Sequence, residues 1–522
     1  MYFNGVIATF DGVQRTARAL VVEGESIVAV GSEEHCREIA GRDAQRIDLD
    51  GGFVYPGFTD CHTHLANAAR EATMVDLRTS RSYEEALAEI RRFSADRPEG
   101  QWILGGRWAH NRWTTPHWPH RRELDIATGG RPAALSTLDG HSIWVNTAAL
   151  ALLGIDADTP DPVGGEIVRD EDGTPTGVLK ETAIERARSL WSTHHDVDLR
   201  ACLPLAIERA LAGGLTSVHD FDGVDAIEAF GDLRDAGQLP LRVFKSVPVP
   251  YLRTAITDGW RTGGGDHWLR QGPVKIFADG ALGSRTAWMK AGYLDEPGNH
   301  GLTRTPVDDM DELIRLAAEH GIASAVHAIG DEANSSVLAL LARHPTDDRG
   351  QRLRHRIEHA QHLDHAALTS FAPLGVIASM QPTHCTDDMH MVEDAVPAAS
   401  LSYPWRSLID TGATVAFGSD APIGALEPLQ GIHAAVSRQD TEGRPADGFQ
   451  PEQRITVTEA IHAYTAAAAY ASGEEQVKGR LAVGQLADFV VLSDDLLRAD
   501  PSLIPKLQVH RTVVGGQTRW TS

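Results

Sequence analysis

The sequence predicts an α/β protein: a (β/α)8 TIM-like barrel, with a small β-sandwich domain built from both chain ends and an insertion after barrel strand 1. Three observations carry this expectation. Runs rich in β-formers alternate with helical patterns through the middle of the chain, as a parallel sheet with crossover helices requires. Eight such runs can be counted, which is the barrel number. Both ends of the chain read instead as short strands with turn signals.

A chain of 522 residues is too long for one simple core, so a barrel-sized domain with one or two smaller ones is expected. Near the start, Ala19-Leu20-Val21-Val22 and Ile27-Val28-Ala29-Val30 flank Glu23-Gly24-Glu25-Ser26, a hairpin pattern. Near the end, Ala487-Asp488-Phe489-Val490-Val491-Leu492 and Thr512-Val513-Val514, followed by Gly515-Gly516, repeat it. A composite β-domain of 1–55 and 472–522 is expected from this, with the barrel at 56–471. The eight candidate strands are 53–58, 215–218, 241–247, 274–278, 323–326, 354–357, 376–380 and 414–418, and residues 309–320 carry apolar side chains at helical spacing. The gap between the first and second strands far exceeds one helix, so 66–200 must hold an insertion.

The 48 basic and 72 acidic residues give a net charge of -24, which repels a phosphate backbone and argues against nucleic acid as a partner. No apolar run reaches membrane-spanning length, and Met1-Tyr2-Phe3-Asn4-Gly5 lacks the basic start and apolar core of a secretory signal, so a cytoplasmic protein with no membrane partner is expected. The cysteines, Cys36, Cys61, Cys202 and Cys385, form no C-x-x-C pair. Neither a disulfide framework nor a thiolate zinc site is suggested, which leaves His and carboxylates for any metal. Oligomeric state is not encoded legibly, and a homo-oligomer is compatible with the sequence.

His62 and His64 lie two residues apart at the end of the first strand. In extended backbone both imidazoles leave on one face, roughly 7 Å apart at their backbones, so one ion can bridge them. Among 24 histidines such a pair is weak evidence alone. A barrel, however, directs the C-terminal end of every strand to one rim. Four later strands end in a suitable ligand: Lys275 in Val274-Lys275-Ile276-Phe277, His327 in Ala325-Val326-His327, His359 in Ile357-Glu358-His359, and Asp420 in Gly418-Ser419-Asp420. A lone His after an apolar strand is commonly structural and a lone Asp there commonly caps a helix; their joint occurrence in barrel order is what that bland reading does not predict. His and carboxylate ligands suit zinc, with iron, manganese or cobalt as alternatives.

With these residues in place, the sequence resembles the amidohydrolase superfamily, specifically its YtcJ-like branch, which includes N-substituted formamide deformylases. Further matching motifs are Asp139-Gly140-His141-Ser142 with Val145-Asn146, Gly164-Gly165-Glu166-Ile167, Gly214-Leu215-Thr216-Ser217-Val218-His219-Asp220, Asp279-Gly280-Ala281-Leu282-Gly283-Ser284-Arg285-Thr286 and Gly484-Gln485-Leu486-Ala487-Asp488-Phe489. The resemblance covers nearly the whole chain. It implies that His62, His64 and Asp420 hold one metal, that His327 and His359 hold a second, and that Lys275 bridges them as a carbamate formed with CO2. The bland alternative for Lys275 is a salt bridge to Asp279 or another carboxylate. The implied activity is hydrolysis of a non-peptide C–N bond in a small-molecule amide or N-substituted formamide by a metal-bound hydroxide, with Asp420 as catalytic acid and base. A deaminase, lactonase or cyclic amidase on the same rim is the enzymatic alternative. A non-catalytic binding or regulatory protein on the scaffold is the alternative of another class.

For the substrate, His141 is expected to offer a hydrogen bond or else to organise its loop. His219 and Asp220 are expected at the rim, and Arg285 either to meet a polar substrate group or to pin its loop. Glu358, next to a ligand on an alternating strand, should point to the opposite side, as should Cys61. Trp102, Trp108, Trp113, Trp118 and Trp144 concentrate in the insertion. They either form a lid in which Trp108 contacts substrate, or build the insertion's own core.

Overall fold

The eight parallel strands that position the site are β1 (Phe58–Thr63), β2 (Leu215–Asp220), β3 (Arg242–Pro248), β4 (Leu269–Phe277), β5 (Ser324–Ala328), β6 (Arg356–His359), β7 (Ile377–Met380) and β8 (Val415–Phe417), hydrogen-bonded in chain order. They come from a computed structural model that describes residues 1–522 except 14, 96, 99, 111–112, 138–140, 163 and 188–196. The sheet closes at its C-terminal rim, where Asp420 N donates to His62 O at 2.7 Å and His64 N donates to Ala421 O at 2.7 Å. Closure needs Gly418: a Cβ there would lie 2.4 Å from His62 N and 2.6 Å from an Asp60 carboxylate oxygen. Helices such as Val307–Glu319 return the chain between strands, burying Met310, Ile314, Ala317 and Ala318 on one face.

The first strand corrects the sequence reading. The apolar run 53–58 is not one barrel strand; Phe53–Pro56 pairs antiparallel with Phe489–Leu492, and the barrel strand begins at Phe58. The handover falls at Gly57, whose N–H still bonds Asp488 O while Phe58 N bonds Gly214 O. A side chain at Gly57 would meet Thr216 at 2.3 Å. Two sheets thus form from the chain ends. One orders Ser26–Gly31, Ala19–Glu23, Tyr2–Phe3 and Ile47–Asp48; the other orders Gln517–Thr521, Val509–Val514, Phe489–Leu492, Phe53–Pro56, Val6–Ala8 and Thr16–Ala17. Tyr2, Leu20 and Ile27 from the first bury against Ile7, Val54, Phe489, Val491 and Val513 from the second, which makes the pair a sandwich.

The chain separates into two compact units, Ala68–Leu203 and the remainder. The smaller unit carries its own six-stranded sheet and its own apolar clusters. Trp108, Trp113 and Trp144 sit together in one of them with Ile90, Leu124 and Leu135. Among the described residues no helix is long and apolar enough to cross a membrane.

Candidate metal centre

Six side chains meet at the C-terminal rim of the barrel. His62 lies in β1 and His64 one residue past it; Lys275 lies in β4, His327 in β5, His359 at the end of β6, and Asp420 just beyond β8. Donor atoms of His62, His359 and Asp420 all fall within 4.8 Å of one another. Asp420 Oδ1 is 3.5 Å from His62 Nε2 and 3.5 Å from His64 Nε2, Lys275 Nζ is 3.5 Å from His62 Nε2, and the His327 and His359 rings are 4.5 Å apart. Two of these residues are held in left-handed backbone, His359 at φ 77° and Asp420 at φ 56°. Such strain in a non-glycine residue persists only where surrounding structure over-determines it, and it clusters at functional sites.

The donor set fits a metal because each imidazole is turned with one nitrogen toward the centre and the other toward an acceptor. His62 Nδ1 meets Glu358 Oε2 at 2.6 Å, His64 Nδ1 meets Asp222 Oδ1 at 3.2 Å, and His359 Nδ1 meets Gln381 Oε1 at 2.8 Å. In His327 the roles reverse, and Nε2 meets Gly280 O at 2.9 Å. Each outward nitrogen faces an acceptor and so carries the proton, which leaves the inward nitrogen a lone pair. Burial, then the nearby Lys275, holds His62 well below the usual imidazole range; burial and the neighbouring His327 and His62 do the same to His359, and His327 is pushed down to about 3.

Lys275 is buried at 4% exposure between the rings of Phe221 and Phe277, 4.8 and 5.1 Å from Nζ. Burial pushes its ammonium down to about 8. The salt bridge to Asp279 that the sequence allowed is not what occupies that carboxylate: Asp279 accepts from the backbone N–H of Trp288, Ile329 and Gly330.

The substrate-facing expectations fare differently. His219 is fully buried, with Nδ1 2.9 Å from Arg356 Nη1, so it lies inside the barrel rather than on the rim. Asp220 is likewise buried, accepting from Leu65 N and facing Lys245 Nζ at 3.0 Å. Arg285 spends its guanidinium on Asp295 and on Leu282 O, which pins its own loop. Within the insertion, Trp108 is 0% exposed and donates Nε1–H to Leu135 O at 2.8 Å, so no face of its ring is free for a ligand and the core reading replaces the substrate contact. His141 is exposed and paired with Glu181 at 3.2 Å; Asp139 and Gly140 of its motif lie outside the described residues.

Sequence reasoning missed four residues here: Glu358, set aside as pointing away, and Asp222, Gln381 and His384. Gln381 and His384 follow β7, where a glutamine directly after the strand and a histidine in the first turn of the next helix are the signal the sequence offers. Asp222 sits two residues beyond the β2 motif.

A closed parallel barrel with buried, lone-pair imidazoles and a carboxylate converging at its rim defines a class, the β/α-barrel hydrolases that work with a metal. The chain belongs to the amidohydrolase family, whose sequence pattern matches residues 45–519. It is 33% identical over 99% of its length to a putative amidohydrolase, YtcJ, of Bacillus subtilis, covering 98% of that protein. It is 30% identical over its whole length to an N-substituted formamide deformylase of Arthrobacter pascens, again covering 98%. A solved metal-dependent hydrolase of unassigned function from Pyrococcus furiosus superposes with a TM-score of 0.78 at 28% identity, over 95% of this chain and 99% of that one.

Proposed function

We propose that the chain hydrolyses a non-peptide C–N bond in a small molecule, an amide or N-substituted formamide, at a metal centre on the barrel rim. The observation that carries this reading is the convergence of His62, His359 and Asp420 within 4.8 Å, with His64, His327 and Lys275 against them. The full-length likeness to a protein named N-substituted formamide deformylase supports the substrate class.

His62, His64, His327, His359 and Asp420 would hold one or two zinc ions, and Lys275 would join them as a carbamate. In that step the neutral Nζ bonds the carbon of CO2 and releases one proton, turning a buried cation into an anionic ligand. Bound zinc supplies Lewis acidity, bringing the pKa of water toward about 7 and polarising a carbonyl. Asp420 takes the proton of the attacking water and returns it to the leaving nitrogen. Its Oδ1 is turned toward His62 and His64, which leaves Oδ2 for that transfer. Glu358, Asp222 and Gln381 keep the imidazoles in the ligating tautomer throughout.

The test is a panel of N-substituted formamides, N-acyl amino acids, cyclic amides and lactones incubated with zinc-loaded protein, with detection of released amine or acid. Amine release from a formamide or linear amide is expected, and Asp420→Asn should lower turnover at least about 10²-fold while most of the zinc stays bound. Turnover of lactones or cyclic amides alone, or full activity in Asp420→Asn, contradicts the reading.

A further inference from the structure

His384 stands in the first turn of the helix Pro382–Ala395 that follows β7, with its side chain 9% exposed. Its wiring is the reverse of the four histidines above. Its Nδ1 faces the amide nitrogen of Gln361, Nε2, at 3.4 Å, and an amide N–H is a donor. The ring proton therefore sits on Nε2. Among the described residues that Nε2 has no hydrogen-bond partner. It points toward Asp420 Oδ2, 3.8 Å away and beyond hydrogen-bond reach, while the ring lies parallel to that of His359 at 6.1 Å. A buried polar hydrogen with no acceptor is unfavourable; among the described residues His219 Nε2 and His362 Nε2 are also without a partner, and what sets His384 apart is that its Nε2 is turned toward the Asp420 carboxylate of the metal centre. A nitrogen that carries a proton cannot ligate a cation.

We propose that His384 is a catalytic residue whose Nε2–H donates to the acyl oxygen of the substrate as that oxygen gains negative charge. The proposal rests on the hydrolase reading above. Asp420 Oδ1 is turned toward two histidines, so the atoms that exchange a proton with Asp420 must approach from Oδ2, and His384 is the donor that waits there. A fixed donor at that position is already oriented when charge develops, which is the arrangement that stabilises a tetrahedral oxyanion. Of the two acids on the same helix, Asp388 accepts from Tyr403 Oη at 2.6 Å, and Asp387 and Asp388 bear on the imidazole through electrostatics alone, whereas Asp420 Oδ2 is the carboxylate within 4.0 Å of it among the described residues.

The experiment compares the zinc-loaded full chain with His384→Ala and His384→Gln by four readouts: turnover of the amide panel, calorimetric affinity for formate, acetate and benzoate, zinc content, and 15N-histidine NMR of the wild-type tautomer. The proposal expects the Nε2–H tautomer. In His384→Ala it expects zinc content unchanged, kcat down about 10²–10³-fold with little change in KM, and carboxylate affinity down about tenfold; His384→Gln, which keeps an N–H, restores part of both. An Nδ1–H tautomer, loss of zinc from His384→Ala, or carboxylate affinity equal to wild type overturns it. If the wild-type protein hydrolyses nothing in the panel, the hydrolase reading fails by itself, and the carboxylate affinities and tautomer still decide the role of His384.

Discussion

A single backbone angle explains why Glu358 was misread. On a regular strand Glu358 and His359 point to opposite faces, and Arg356 shares the face of Glu358. At His359 the backbone turns left-handed, φ 77°, and the alternation breaks, so both neighbours reach the centre. Glu358 is thereby placed to accept from His62 Nδ1, and Arg356 donates to both Glu358 oxygens, to Cys61 O and to Ser379 Oγ. Burial raises the Glu358 carboxyl, but Arg356 and Lys275 outweigh it and hold the group below its ordinary range. A charged carboxylate is what keeps the His62 proton on Nδ1. Glu358→Gln preserves shape but can offer an N–H to that nitrogen, which moves the proton to Nε2 and blocks ligation. Zinc affinity measured against a competing chelator should fall about 10–100-fold; unchanged affinity would remove Glu358 from the centre's design.

At the scale of elements, the tryptophans of the insertion are the instructive case. Composition alone left a lid and a core equally open, because both need large apolar side chains. The structure buries Trp108 against Trp113 and Trp144, with ring centroids 5.9 and 6.3 Å away, and anchors its indole N–H on the neighbouring strand. Trp108→Ala should therefore cost about 3–5 kcal/mol of stability in urea unfolding, and its effect on KM should be the same for N-benzyl and N-methyl substrates. A selective effect on the bulky substrate would restore the pocket reading. The split of the run 53–63 between two sheets is a second case. Phe53, Val54, Tyr55, Phe58 and Thr59 favour a strand on both sides of the break, and periodicity carries no mark of the point where a strand changes partners; Pro56-Gly57 was the available sign.

Across the whole molecule, the terminal sandwich is tied to the barrel by buried polar contacts. Arg242, at the start of β3, donates to Asp488 at 2.6 and 3.0 Å and packs on Trp268, with its centre 4.4 Å from the ring. Asp488 also receives Gly515 N–H. Lys478 Nζ reaches Ser217 Oγ at 2.9 Å. Removing one partner leaves the other charge buried and unpaired, so Arg242→Ala should destabilise the fold by about 3–5 kcal/mol in denaturant titration. The double replacement Arg242→Met with Asp488→Asn should recover part of it, since it removes both charges together and keeps an acceptor for Gly515 N–H. Equal losses in the single and double variants would mean that the ion pair is not what matters there.

The sequence by itself determined that the chain would form a parallel barrel, because alternating β and helical periodicity is local and repeats eight times. It also determined which side chains stand at strand ends, because strand direction in a barrel sends every C-terminus to one rim. Only the tertiary structure decided what each of those side chains can do. The proton position on His62 depends on Glu358, 296 residues away, that on His64 on Asp222, 158 residues away, and the burial of His219 on Arg356, 137 residues away. His384 became legible only beside Asp420 and Gln361. Hydrogen-bond direction and burial are properties of neighbours in space, and no spacing along a chain encodes them.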